Sequence, residues 1–234
     1  GLGYNISQNS YLEVGVLAER GSVDDDFALQ DEISFDTYGV YFSLGYDSLN
    51  SASFPTDGAS FIFNVRKQKE HVDNTRLFTG NDTSLGAESI HLDIEWKGAL
   101  KLGSHAVVGK ASFARVYTDD NEESVNASNL GGFLNLSGFN KNELYGPLKV
   151  FSALIYQYNL RENLFGQSKL PLYLGLSVEA GNVWQQGNDL DLDEVIKAGS
   201  LYLGSDTALG PVALGYGFNN AGGRSVYCYL GYKL

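Results

Sequence analysis

Two segments of this chain carry residue types that could do directed chemistry. One is an acid set among small residues, Glu179 within Val178-Glu179-Ala180-Gly181-Asn182-Val183-Trp184. The other is a glycine-rich apolar stretch, Leu130-Gly131-Gly132-Phe133-Leu134-Asn135-Leu136-Ser137-Gly138-Phe139, which lies where a polar loop tip belongs. Such a stretch gains nothing from water, so it is expected to fold back and pack on the rest of the protein. A carboxylate can hold a neighbouring segment by charge-assisted hydrogen bonds, which are shorter and stronger than neutral ones. The chemistry these residues suggest is therefore that of a grip, with Glu179 as anchor.

Other chemistries lack their parts. His71, His91 and His105 are scattered, with no metal-ligand spacing. Asp189, Asp191, Asp193 and Glu194 form an acidic run without the turn glycine and terminal glutamate of a helix-loop-helix calcium site. Asp24-Asp25-Asp26 reads, like that run, as solvated loop. No Gly-x-Ser-x-Gly nucleophile elbow is present. Asn81-Asp82-Thr83 and Asn126-Ala127-Ser128 fit the glycosylation sequon, a pattern that arises often by chance. Cys228 is the single cysteine, so it forms no internal disulfide and reads as a small apolar residue. No enzymatic activity, metal or cofactor is expected.

The elements that must position Glu179 are strands. Leu172, Leu174, Leu176, Val178 and Ala180 oppose Tyr173, Gly175, Ser177, Glu179 and Gly181. Val212, Leu214, Tyr216 and Phe218 oppose Ala213, Gly215 and Gly217, and Ile90, Leu92, Ile94 and Trp96 oppose His91, Asp93, Glu95 and Lys97. A strand reverses its side chains at every residue, so each ribbon has one apolar wall and one small or polar wall. A soluble sandwich would fill its hidden face with bulky groups. Here glycine, serine and acids face away from the apolar side, as in a water-filled lumen, and the apolar side suits lipid.

Ten full strands and a stub at Gly1–Asn5 can be placed: Tyr11–Arg20, Thr37–Asp47, Ser60–Lys67, Ser89–Lys97, Ala106–Tyr117, Leu148–Leu160, Leu172–Trp184, Ser200–Thr207, Gly210–Phe218 and Ser225–Leu234. In Ala106–Tyr117 two parities compete, and Leu148 is assigned outward with Val150, Leu154, Tyr156 and Tyr158. Glu13, Glu19, Asp93, Glu95, Lys97 and Glu179 are expected to line water. Tight turns (Ile6–Asn9, Gly103–Ser104, Ala208–Gly210) alternate with long polar connections (Gly21–Glu32, Asp73–Glu88, Thr118–Gly146), the asymmetry of an outer-membrane barrel. Ser48–Asp57 is a long exception on the short-turn side. The fold expected is all-β: a transmembrane antiparallel β-barrel, with residues 1–234 as one domain.

Composition agrees. The formal charge of −12 argues against a nucleic-acid surface. Hydrophobic content of 43% with 19% charged residues excludes a disordered chain. No apolar run approaches the roughly 20 residues of a spanning helix. The sequence opens Gly-Leu-Gly-Tyr without the pattern of a secretory leader and contains no methionine, so it is expected to be part of a longer precursor whose upstream strands complete the barrel.

With these residues in view, the chain resembles the bacterial surface-antigen superfamily of outer-membrane barrels, which includes barrel-assembly insertases, two-partner secretion translocators and barrels fused to patatin-like phospholipases. The resemblance implies a barrel of sixteen strands, whose sixth outer loop enters the lumen and touches a wall strand. That loop tip carries Val/Leu-Arg-Gly-Phe/Tyr. Leu130, Gly131, Gly132 and Phe133 match it with glycine at the arginine position; Leu136, Ser137, Gly138 and Phe139 match it with serine there. Glu179, Gly181, Asn182 and Trp184 match the wall stretch, and Phe54-Pro55-Thr56-Asp57-Gly58 matches a recurrent turn. Asp57-Gly58 also matches the Asp-Gly of a patatin dyad, but no serine elbow accompanies it. Tyr232 and Leu234 stand where the superfamily carries its C-terminal assembly signal.

The doubled Leu-x-Gly-Phe wording looks most like the phospholipase fusions. The resemblance therefore implies a barrel in the outer membrane of a Gram-negative bacterium that anchors, translocates or displays an upstream domain. Its implied partners are outer-membrane lipid, the barrel-assembly machinery and upstream domains of the same precursor; a homodimer is left open. Alternatives are an insertase or translocator barrel, a passive diffusion pore and a soluble sandwich.

Overall fold

The computed structural model describes residues 1–25, 31–76, 83–118, 128–160, 171–185, 190–207 and 209–231. Its strands are β1 (Leu2–Ser7), β2 (Ser10–Asp25), β3 (Asp31–Asp47), β4 (Gly58–Arg76), β5 (Thr83–Leu102), β6 (His105–Thr118), β7 (Ser128–Leu130), β8 (Leu144–Gly146), β9 (Leu148–Asn159), β10 (Tyr173–Trp184), β11 (Ile196–Thr207), β12 (Gly210–Asn219) and β13 (Arg224–Leu230). β1–β6 and β9–β13 build one antiparallel sheet of 11 strands in chain order, with β9 pairing β6. β7 and β8 pair only with each other. Among the described residues β1 and β13 each pair on one side, so the barrel is open there.

Alternation produces this sheet for the reason given above: aromatic and β-branched residues suit a pleated, half-buried surface. Each expected strand overlaps an observed one; Gly1, Leu160, Leu172 and Gly231 fall just outside theirs, residues 232–234 lie outside the described residues, and β2–β5 run further than expected. The β2–β3 ladder continues to Asp25↔Asp31, and the β4–β5 ladder to Asn74↔Thr83. The described residues of Gly21–Glu32 and Asp73–Glu88 are therefore strand. Antiparallel pairing satisfies backbone groups whatever the side chains, so a ladder can extend past the apolar band.

The outward face is apolar and exposed, with Val16, Val40, Leu154, Leu176, Val178, Leu201, Leu214 and Val226 on it. Cys228 shares that face and is exposed. In β6 the inward set is Ala106, Val108, Ala114 and Val116, all buried, which settles the two competing parities. Leu148, assigned outward by alternation, is buried at the end of β9 opposite Trp184, which is buried too. The strict period fails where strands end against the inserted loop.

A second correction concerns the lumen. The inner wall of β2–β5 is polar: Tyr41 donates to Glu13 at 2.5 Å, Ser43 to Asn64 at 2.6 Å, and Ser89 hydrogen-bonds His91 at 3.0 Å. Across β6 and β9–β12 much of the inside is apolar and buried. A hydrophobic cluster there joins Phe54, Val108, Leu130, Leu134, Leu136, Phe151, Ala153, Ile155, Ala198, Tyr202 and Ala213. Three of these belong to the loop and one to the β3–β4 connection. Two inserted segments cover much of that half of the inner face. Glu179, expected to line water, is only 3% exposed.

Candidate functional site

The loop between β6 and β9 turns inward through the β7–β8 hairpin. Past it the backbone closes on itself: Gly131 N–H donates to Asn135 O at 3.0 Å, and Asn135 N–H to Gly132 O at 3.1 Å. Leu134 and Leu136 have φ of 54° and 69°, and Gly138 has φ of 93°. Left-handed leucines are costly, and such strain persists only where surrounding contacts over-determine it.

Glu179 supplies those contacts. Its carboxylate accepts from Ser137 N–H at 2.7 Å, from Ser137 Oγ at 2.8 Å and from Ser177 Oγ at 2.5 Å. Ser177 Oγ in turn meets Ser200 Oγ at 2.7 Å, which extends the network to β11. The Ser137 hydroxyl also accepts from Leu134 N–H at 3.2 Å, so one serine closes both the loop and the grip. The next residues are held by β12 and β13. Gly138 N–H donates to Tyr227 Oη at 2.8 Å, while that hydroxyl donates to Phe139 O at 2.7 Å. Ser225 Oγ donates to Gly138 O at 3.2 Å, and Asn219 Nδ2 to Ser137 O at 3.4 Å.

Of the two sequence candidates for the loop tip, Leu136-Ser137-Gly138-Phe139 is the one on Glu179. Gly132 does not reach it; a Cβ there would stand nearest Lys141. Phe133 has another job, lying edge-on to Tyr202 at 5.3 Å and beside Tyr227 at 5.5 Å. Gly181 faces β9 so closely that a Cβ would stand 2.6 Å from Val150 O. Asn182 Nδ2 donates to Glu194 O at 2.9 Å, away from the loop. Trp184 is buried near the hairpin, its carbonyl oxygen 2.8 Å from where a Gly146 Cβ would stand. Tyr232 and Leu234 lie outside the described residues.

The second insert is the β3–β4 connection, residues 48–57. Phe54 reaches the opposite wall, stacking on Tyr202 at 6.1 Å and tilting against Tyr173 at 5.9 Å. Gln157 Nε2 donates to Pro55 O at 3.1 Å, and Ser51 Oγ to Asp206 at 2.9 Å. Asp57 and Gly58 end this turn; their role is structural in position. Lysines from β5 and β6 hold both inserts: Lys97 Nζ donates to Ala52 O at 3.1 Å, and Lys110 Nζ to Leu134 O at 2.7 Å.

The inner-face glycines acquire a meaning here. A Cβ on Gly204 would stand 2.4 Å from the Phe54 ring, on Gly215 2.7 Å from Phe133, and on Gly217 2.7 Å from Ser137 Cβ. These small residues are sockets for the inserts. Sequence reasoning found Glu179 and the loop, and Phe54 as part of a turn, but missed the inward contacts of Phe54, Tyr227, Lys110, Tyr202 and Asn219. Only the pairing of small residues on β11 and β12 with unplaced aromatic residues elsewhere hinted at them.

No protein-family model matches the chain, and no curated protein matches it. A solved structure does. In fold, this chain is similar to BamA. The match is to the crystal structure of BamA from Haemophilus ducreyi lacking POTRA domains 1–3, with a TM-score of 0.55 and 12% identity, over 94% of this chain and 60% of that one. At that identity the likeness is one of fold. The chain spans about 60% of the length of the BamA structure.

Proposed function

We propose that this chain is part of an outer-membrane β-barrel of the insertase and translocator kind, in a Gram-negative bacterium, and that it works without enzymatic chemistry. The observation that carries the reading is the loop gripped by Glu179 on the inside of a sheet whose outside is apolar. The fold likeness to BamA supports it. The barrel would meet outer-membrane lipid through Val16, Val40, Leu176 and Leu214, be assembled by the barrel-assembly machinery, and act on or hold polypeptide at the membrane.

A second reading, a barrel that anchors or displays an upstream patatin-like lipase, is favoured by Ser137 at the arginine position, because a neutral grip suits a stationary brace. A passive pore is less favoured, since the inserts occupy part of the lumen beside β6 and β9–β12.

The test uses the full-length protein expressed in a Gram-negative host, intact and with residues 130–139 deleted. The intact protein should fractionate with the outer membrane. An insertase or translocator should, with the deletion, lower the amount of other barrels in that membrane or of polypeptide delivered across it. An anchor should lose only its upstream domain from the surface. Folded protein recovered without detergent would refute the membrane reading, and a deletion that changes none of these amounts would refute the brace.

A further inference from the structure

We propose that the cavity between the inserted loop and the β4–β6 wall binds a phosphate-bearing ligand through Lys97, Lys110 and Lys149. The cavity has a volume of about 590 Å³, within the range of small-molecule sites. Four lysines line it, Lys97, Lys110, Lys141 and Lys149, against two acids, Asp47 and Glu95. This excess of cations is local, because the whole chain carries 28 acidic and 16 basic residues.

Two features set these lysines apart from ordinary solvated ones. Lys97 and Lys110 stand directly opposite each other across β5–β6, and like charges so placed repel. Moreover, the ion pairs among the described residues are Arg20–Asp36, Lys67–Glu88 and Lys69–Glu88; none involves a cavity lysine. Asp47 and Glu95 share the cavity without reaching ion-pair distance of a lysine. Lys97 and Lys110 each donate one hydrogen bond to a backbone carbonyl, of Ala52 and Leu134 respectively. An ammonium has three donors, so each retains two.

The two inserts thus fix the heads of adjacent cations and leave their remaining donors free. An oxyanion between them would relieve the repulsion and accept those donors, and lysine serves phosphate well as a point charge. Asn129, Asn135 and Asn142 line the same space from the loop. Nothing in this rests on transport; it needs only the inserts seated as described.

The experiment is calorimetric titration of the full-length protein, folded in an uncharged detergent, with inorganic phosphate and, separately, with dihexanoyl phosphatidylglycerol below its micelle concentration. Saturable binding is expected. Lys97→Gln and Lys110→Gln should each weaken it about tenfold or more, the worth of one charge-assisted hydrogen bond. Lys197→Gln, on an exposed residue at the β11 end, should leave it unchanged. Since Lys97 and Lys110 also hold the inserts, Lys149→Gln is the cleaner variant: Lys149 lines the cavity from β9, makes no hydrogen bond to either insert, and should weaken binding likewise. Binding of both probes marks a phosphate site; binding of the lipid alone assigns the phosphate to a headgroup. Binding of neither, or binding that survives Lys149→Gln with the lysine pair also replaced, overturns the proposal.

Discussion

Ser137 is small, wholly buried and bonded at both its amide and its hydroxyl. Ser137→Ala removes the hydroxyl's hydrogen bond to a buried carboxylate and the one it accepts from Leu134 N–H, and should cost about 1.5–3 kcal/mol or more. Urea unfolding followed by tryptophan emission would measure it, with Trp184 beside the hairpin as the local reporter. The related motif has arginine here, so one could expect Ser137→Arg to tighten the grip. The packing says the reverse: Ser137 Cβ stands 2.7 Å from a would-be Cβ on Gly217, and the site has no room for a guanidinium. Ser137→Arg should therefore unseat the loop, seen as new protease cleavage between residues 130 and 140. A grip stronger than wild type would show that the site expands.

At the level of strands, two substitutions separate the faces. Gly217→Ala puts a methyl group against Ser137 and Tyr227 and should cost about 1–3 kcal/mol through overpacking. Leu176→Arg, on the outward face of β10, should cost about 2–4 kcal/mol if it lies at mid-bilayer depth. Glu95→Arg on the exposed inner face should leave assembly intact. Yields of the form that migrates fast on gels without heating would compare them. Strand positions were legible because alternation is local: Leu174, Leu176 and Val178 declare their face within a few residues. The competing parities of β6 were not, because Val107 and Val108 are equally apolar and only burial of Val108 in the cluster with the inserts breaks the tie. Nor could the glycines of β11 and β12 be read as sockets. Their partners, Phe54 and Phe133, lie more than a hundred and about eighty residues away, respectively, and no short window contains both. The same distance left two phases open for the loop tip, since Leu130–Phe133 and Leu136–Phe139 differ only in which one meets Glu179.

Across the whole molecule, Tyr202 is where the inserts meet. Phe54 from one end of the barrel and Phe133 from the other pack on its ring. Residues that share a neighbour in this way do not contribute independently. A double-mutant cycle on Phe54→Ala and Phe133→Ala should show a coupling energy of about 0.5–3 kcal/mol, abolished in a Tyr202→Ala background. Strict additivity would mean that the two ends of the lumen are closed separately.

The grip on Ser137 also determines how the loop responds to ionic strength. Glu179 is held by an amide and two hydroxyls, with no opposing full charge in its first ring of contacts. Mobile ions weaken attraction between charges, yet Lys110, the cation within reach of the carboxylate's field, bonds Leu134 O rather than the carboxylate itself. Molar sodium chloride should therefore leave the loop seated, where a guanidinium-carboxylate latch at the same place would begin to loosen.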